Sequence, residues 1–78
     1  MKLKNWLKYI DPIFTVAIWT SDNTDEHEPD FKGSAYNIPW WMADCKIGFK
    51  DNDILHDAPI LISQENGKPL IIINIISE

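Results

Sequence analysis

The segment from Pro59 to Ser77, PILISQENGKPLIIINIIS, limits the possible folds more than any other part of the chain. Two apolar runs flank Asn66-Gly67, the dipeptide expected where a two-residue hairpin turn needs positive φ at both central residues. A type I′ turn there pairs Glu65 with Lys68, Ser63 with Leu70, Ile62 with Ile71 and Ile60 with Ile73. Gln64 and Pro69 become a non-hydrogen-bonded pair, so the proline breaks no bond to its hairpin partner. Leu70 to Ile76 is apolar at nearly every position, the pattern of a central strand covered on both faces.

The chain has 78 residues, near the lower limit for folding without a disulfide, a metal or a partner. Its hydrophobic content of 45% is too high for disorder. Upstream of the hairpin, Leu3, Trp6, Leu7 and Ile10 recur at helical spacing, so residues 2–10 read as a short amphipathic helix ended by Asp11-Pro12. Residues 13–20, IFTVAIWT, read as a strand with Phe14, Val16 and Ile18 on one face and Thr15, Ala17 and Trp19 on the other. Phe31 to Tyr36 reads as a second strand, with Gly33 at a bulge or close approach.

In NIPWWMADC, Asn37 is a fitting N-cap and Pro39 suits a first helical turn. Ile38, Trp41, Met42 and Cys45 then share one inward stripe, and Trp40 turns to another face. By this spacing Trp6 and Trp41 belong to the core, and Trp40 and Trp19 are the surface candidates. Lys46 to Lys50 reads as a short strand with Ile47 and Phe49 inward, and Asp51-Asn52-Asp53 as a turn. The expected architecture is a single small α+β domain over residues 1–78. It comprises a mainly antiparallel sheet of four to five strands, two short helices and the C-terminal β-hairpin. Two short helices do not cover both faces of such a sheet, so a second copy or a partner is expected to shield part of it.

Net charge is -5, unevenly spread: residues 11–30 hold six acids and no base. No arginine occurs anywhere, which counts against direct nucleic-acid binding, since arginine is the preferred ligand of phosphate and guanine. An acidic surface favours a basic protein partner instead. A single cysteine, Cys45, excludes an internal disulfide and fits a reducing compartment. The first ten residues lack the apolar stretch of a secretory signal, and no run is long enough to cross a bilayer. A soluble protein of the bacterial host cytoplasm, with no membrane contact, is the expectation.

Three clusters compete as sites. DNTDEHEPD packs five carboxylates and His27 into residues 22–30; charge runs are usually solvated loops, and the spaced ligands of an EF-hand are missing. His27, Cys45 and His56, with Asp57 or Glu28, could bind zinc, which would help so short a chain. Yet no Cys-x-x-Cys or His-x-x-x-His pair occurs, and Cys45 on an inward stripe behaves as a small hydrophobe. Zinc is thus the sole cofactor candidate. No enzyme signature is present: Gly33, Gly48 and Gly67 are too scattered for a phosphate loop, so no catalytic residue is assigned. The tryptophans and tyrosines are the types enriched at binding hot spots.

The pattern running from LKYIDP through VAIW and the acidic stretch to GSAYNIPWWMADCKI resembles a set of small proteins carried by phages and mobile elements of Gram-positive bacteria. The match covers roughly the first 50 residues. Its most specific part is Ile38-Pro39-Trp40-Trp41 after a glycine, and it brings no catalytic residues with it. In size, acidity and lack of a catalytic motif the chain is also similar to anti-CRISPR proteins, small phage-encoded inhibitors that bind a CRISPR effector and block DNA loading or cleavage. That resemblance implies a partner such as a Cas9-type effector. Asp22, Asp25, Glu26, Glu28 and Asp30 would steer association with a basic groove, and Trp40 and Trp19 would anchor it. The rivals are a zinc-stabilised accessory domain and a self-assembling phage accessory protein, a homo-oligomer.

Overall fold

The computed structural model describes residues 1–49 and 58–77. The turn expected at Asp51–Asp53, together with His56 and Asp57, lies outside the described residues. The elements run α1 (Leu3–Trp6), β1 (Thr15–Thr20), β2 (Phe31–Ser34), α2 (Trp40–Ala43), β3 (Lys46–Ile47), β4 (Ile60–Glu65) and β5 (Lys68–Ile76). Single 3-10 turns at Leu7–Tyr9 and Ala35–Asn37 precede β1 and α2. The five strands form one mixed sheet in the order β2-β1-β5-β3, with β4 also paired to β5. The central neighbours β1 and β5 run parallel, and the other pairings are antiparallel. The α+β class thus holds, with one parallel pair at the centre.

The hairpin forms in the register read from the sequence, from Ile60↔Ile73 through Gln64↔Pro69 to Glu65↔Lys68. Asn66 and Gly67 both have positive φ, 53° and 78°, as a type I′ turn requires. One residue beyond this ladder, the Asn74 amide donates to the Pro59 carbonyl at 2.8 Å. Proline has no N–H to return, and the Asn74 carbonyl instead accepts the Gly48 amide at 3.0 Å. At Asn74, then, the edge of β5 passes from β4 to β3.

The core lies on one face of the sheet. Val16, Ile18, Ile71, Ile73 and Ile75 are buried there with Leu3 and Met42 from the two helices. Trp6, Leu7, Ile10, Phe31, Ala35, Ile38, Cys45, Ile47 and Ile60 pack around them. Asp44, at the end of α2, accepts from both Lys2 (3.2 Å) and Lys4 (3.1 Å), tying α1 to α2. Those ammonium groups hold the Asp44 carboxyl below the usual carboxylate range.

Several local expectations need correction. The first helix is one α-turn and one 3-10 turn, not continuous over residues 2–10. Phe14 lies outside β1 and is partly exposed; it belongs to a turn in which its amide bonds the Asp11 carbonyl and Ile13 bonds the Asp11 side chain. Asn37 does not cap α2. Ile38 is extended because the following proline disfavours helix, so α2 begins after Pro39. The helix is a single turn that sends only Met42 fully inward, and Trp41, expected in the core, is 45% exposed.

Candidate protein-binding site

The ten residues between β1 and β2 form a loop held by its own short polar side chains. Asn23 Oδ1 accepts the Asp25 amide at 2.8 Å, and Asn23 Nδ2 donates to the Glu28 carbonyl (2.9 Å) and to Asp30 Oδ2 (3.1 Å). Asp25 Oδ1 accepts the His27 and Glu28 amides at 2.8 and 3.3 Å. These are Asx turns, in which a side-chain oxygen substitutes for a backbone acceptor. Asp30 Oδ2 also accepts the Thr20 amide at 2.8 Å, standing in for a strand partner at the end of β1. Partial burial pushes the Asp30 carboxyl up, but hydrogen bonds from Thr20 and Asn23 outweigh it and hold the group below its ordinary range.

The loop is anchored at two further points. Trp19 Nε1 donates to the Asp25 carbonyl at 2.8 Å, so the indole lies under the loop's middle. Ser77 Oγ donates to Asp22 Oδ2 at 2.7 Å, and the Ser77 amide donates to Ser21 Oγ at 3.0 Å. Ser77 has one hydroxyl proton, committed to Asp22; the Ser21 hydroxyl therefore donates toward Ser77.

The five loop acids consequently divide by task. Asp22, Asp25 and Asp30 accept hydrogen bonds that shape the loop. Glu26 and Glu28 are exposed, and no carboxylate contact forms at either among the described residues. Beside the loop, a groove of about 380 Å³ is lined by Trp19, Asp25, Glu26, Leu61, Ile72 and Asn74, among others. An apolar floor meets an acidic rim there, with no base among the described residues of the lining.

Trp40, 81% exposed, belongs to a second groove of about 440 Å³, shared with Trp41, Lys2, Asp44, Cys45, Lys46, Ile76 and Ser77. This groove is mixed in charge. Ser77 lines it while bonding Asp22, so this groove borders the acidic loop at the carboxyl ends of the parallel strands β1 and β5. Trp19 is therefore the indole in contact with the acidic loop, and Trp40 lies across the Ser77 seam.

Of the metal candidates, His56 lies outside the described residues. His27 is exposed on the loop, while the half-buried Cys45 thiol donates to the Trp41 carbonyl at 3.1 Å. Among the described residues no group of three potential ligands is close enough to hold an ion. Nor is any helix among them long and apolar enough to cross a membrane.

Sequence reasoning missed Leu61, Ile72 and Asn74 as groove residues and Asn23 as the centre of the loop. The signals were there: the hairpin register sets Leu61 opposite Ile72, and Asn23 stands two residues before Asp25, the Asx-turn spacing. Compared with protein-family models, with curated protein sequences and with solved structures, the chain matches none.

Proposed function

We propose that the chain is an inhibitor that performs no chemistry itself and acts by direct contact with a basic protein in the bacterial cytoplasm. The supporting observation is the lock between Trp19 and Asp25, which fixes an indole, an aliphatic floor and the Glu26 carboxylate at one groove, with Glu28 exposed on the same loop. Apolar anchor and charge are the two components a protein contact needs, one for residence time and one for steering. The likeness in type to phage anti-CRISPR proteins makes a guide-loaded Cas9-type effector the proposed partner. Glu26 and Glu28 meet the basic channel, and DNA loading or cleavage is blocked.

The test is a pull-down on purified Cas9 with guide RNA at low and high salt, followed by a target-DNA binding assay. Retention that weakens as salt rises, with loss of DNA binding, supports the reading. The double variant Glu26→Lys, Glu28→Lys should weaken capture by tenfold or more, about 1.4 kcal/mol. Failure to retain the effector, or retention indifferent to both salt and the double variant, overturns it.

A further inference from the structure

The two outer edges of the sheet are not equally protected. β2 carries Lys32 and Gly33, residues that discourage strand addition. β4 has no proline, and its one charge, Glu65, stands at the turn end and pairs with Lys32, which leaves Ile60, Leu61, Ile62, Ser63 and Gln64 uncharged. Ile62 is 81% exposed and Leu61 48%.

The hairpin register fixes where the backbone of β4 points. Residues flanking a two-residue turn exchange hydrogen bonds, so Glu65, Ser63, Leu61 and Pro59 direct their polar groups toward β5. The bond from the Asn74 amide to the Pro59 carbonyl agrees with that phase. The amides and carbonyls of Ile60, Ile62 and Gln64 therefore point away from the sheet.

We propose that this edge pairs with the β4 edge of a second copy of the chain, antiparallel, about a two-fold axis through Ile62. This proposal is independent of the inhibitor reading. With Ile62 opposite its own copy, Ile60 falls opposite Gln64 and Gln64 opposite Ile60. Each of those pairs then consists of residues whose polar groups face the partner, so every outward group on the segment is satisfied. No like charges meet within it. The axis stands perpendicular to the sheet, keeping both helical layers on one side and bringing the two exposed Ile62 side chains together there.

Sedimentation equilibrium from about 1 μM to about 1 mM tests the association. The mass should rise from 9.0 kDa to twice that value with concentration. Ile62→Lys sets two ammonium groups face to face and should weaken dimerisation at least tenfold. Its position is exposed, and circular dichroism checks that the chain still folds. The register is tested in a Cys45→Ala background. Ile62→Cys should oxidise to a covalent dimer, because directly opposed strand residues lie about 5.5 Å apart, within disulfide range. Ser63→Cys should not, because its counterpart lies two residues further along, beyond about 7 Å. A monomer at every concentration overturns the proposal. So does a dimer indifferent to Ile62→Lys, or one that crosslinks through Ser63→Cys but not through Ile62→Cys.

Discussion

On one face of the sheet, Val16, Ile18, Ile71, Ile73 and Ile75 are sealed by Leu3 and Met42. On the other, Ala17 is just as buried, although both described helices send their buried residues, Leu3 and Met42, to the first face. Its register neighbours are Lys32 and Ile72, and Lys32 reaches across from β2 to Glu65 on β4 as an ion pair. Trp19 and its loop cover the far end of the same face. The first face is a core in the ordinary sense, sealed by apolar side chains. The second is covered by polar groups, and those groups can be displaced or used. The candidate binding groove belongs to the second face because Leu61 and Ile72 are left partly uncovered there.

The largest test of this contrast is a matched pair of truncations on one strand. Ile73→Ala, on the sealed face, should cost about 2–5 kcal/mol in urea unfolding, since nothing can collapse into the space. Ile72→Ala, one residue away on the open face, should cost less than half as much. Equal losses would mean that the second face is as tightly packed as the first.

Trp19→Phe tests the polar cover more directly. It keeps the aromatic area but removes the N–H that bonds the Asp25 carbonyl. Stability should fall by about 1 kcal/mol, the usual loss for one such bond. Partner capture should fall further than stability if the indole fixes the groove. A variant that binds at full strength would detach the loop lock from function.

Acid should separate the two faces in the same way. The Asp30 carboxyl titrates below its unfolded value of 3.8, so the unfolded chain binds the proton first as pH drops. The stabilisation from its bonds to Thr20 and Asn23 is complete above that value and lost as pH falls through the lower folded value. Unfolding measured from pH 6 to pH 2 should lose stability below about pH 4, and Asp30→Asn should flatten that decline. Asp44 shifts in the same direction, so Asp44→Asn tests the α1–α2 tie over the same window. A decline unchanged by Asp30→Asn would show that the loop's bonds do not contribute to folding.

Much of the fold was legible because its information is local. Asn66-Gly67 needs only its own φ angles, and the hairpin register follows from it. The order of elements followed from periodicity and breakers such as Asp11-Pro12 in the same way. What was not legible depended on long-range competition. Leu70 to Ile76 is apolar except at Asn74, yet its burial alternates, with Ile71, Ile73 and Ile75 fully inside and Ile72, Asn74 and Ile76 only half covered. A run so nearly apolar conceals which face the helices will choose. The parallel pairing of β1 with β5 was hidden because both strands' patterns also suit antiparallel neighbours. Helical spacing misplaced Trp41 because it assumes several turns, while α2 has only one. For the site, composition identified the acidic loop and Trp19 separately, but only folding joined them through the Asp25 carbonyl.

The smallest expected effect concerns the Lys32–Glu65 pair, and it decides what kind of cover the open face has. Both side chains are more than two-fifths exposed, so attraction between them is screened by water and salt. Exposed pairs of this kind contribute roughly 0–1 kcal/mol. Lys32→Ala should therefore destabilise the chain by less than about 1 kcal/mol, and the difference should shrink further as salt is added. The lysine stem, however, also shields apolar surface, as long charged side chains do. If the loss persists unchanged at high salt, packing by the stem outweighs the charge, and Lys32→Met should restore stability where Lys32→Ala does not. If both variants lose the same amount and salt removes it, the charge alone holds the strap. The open face is then covered only while its ions stay paired, which is the condition under which a basic partner could compete for Glu65.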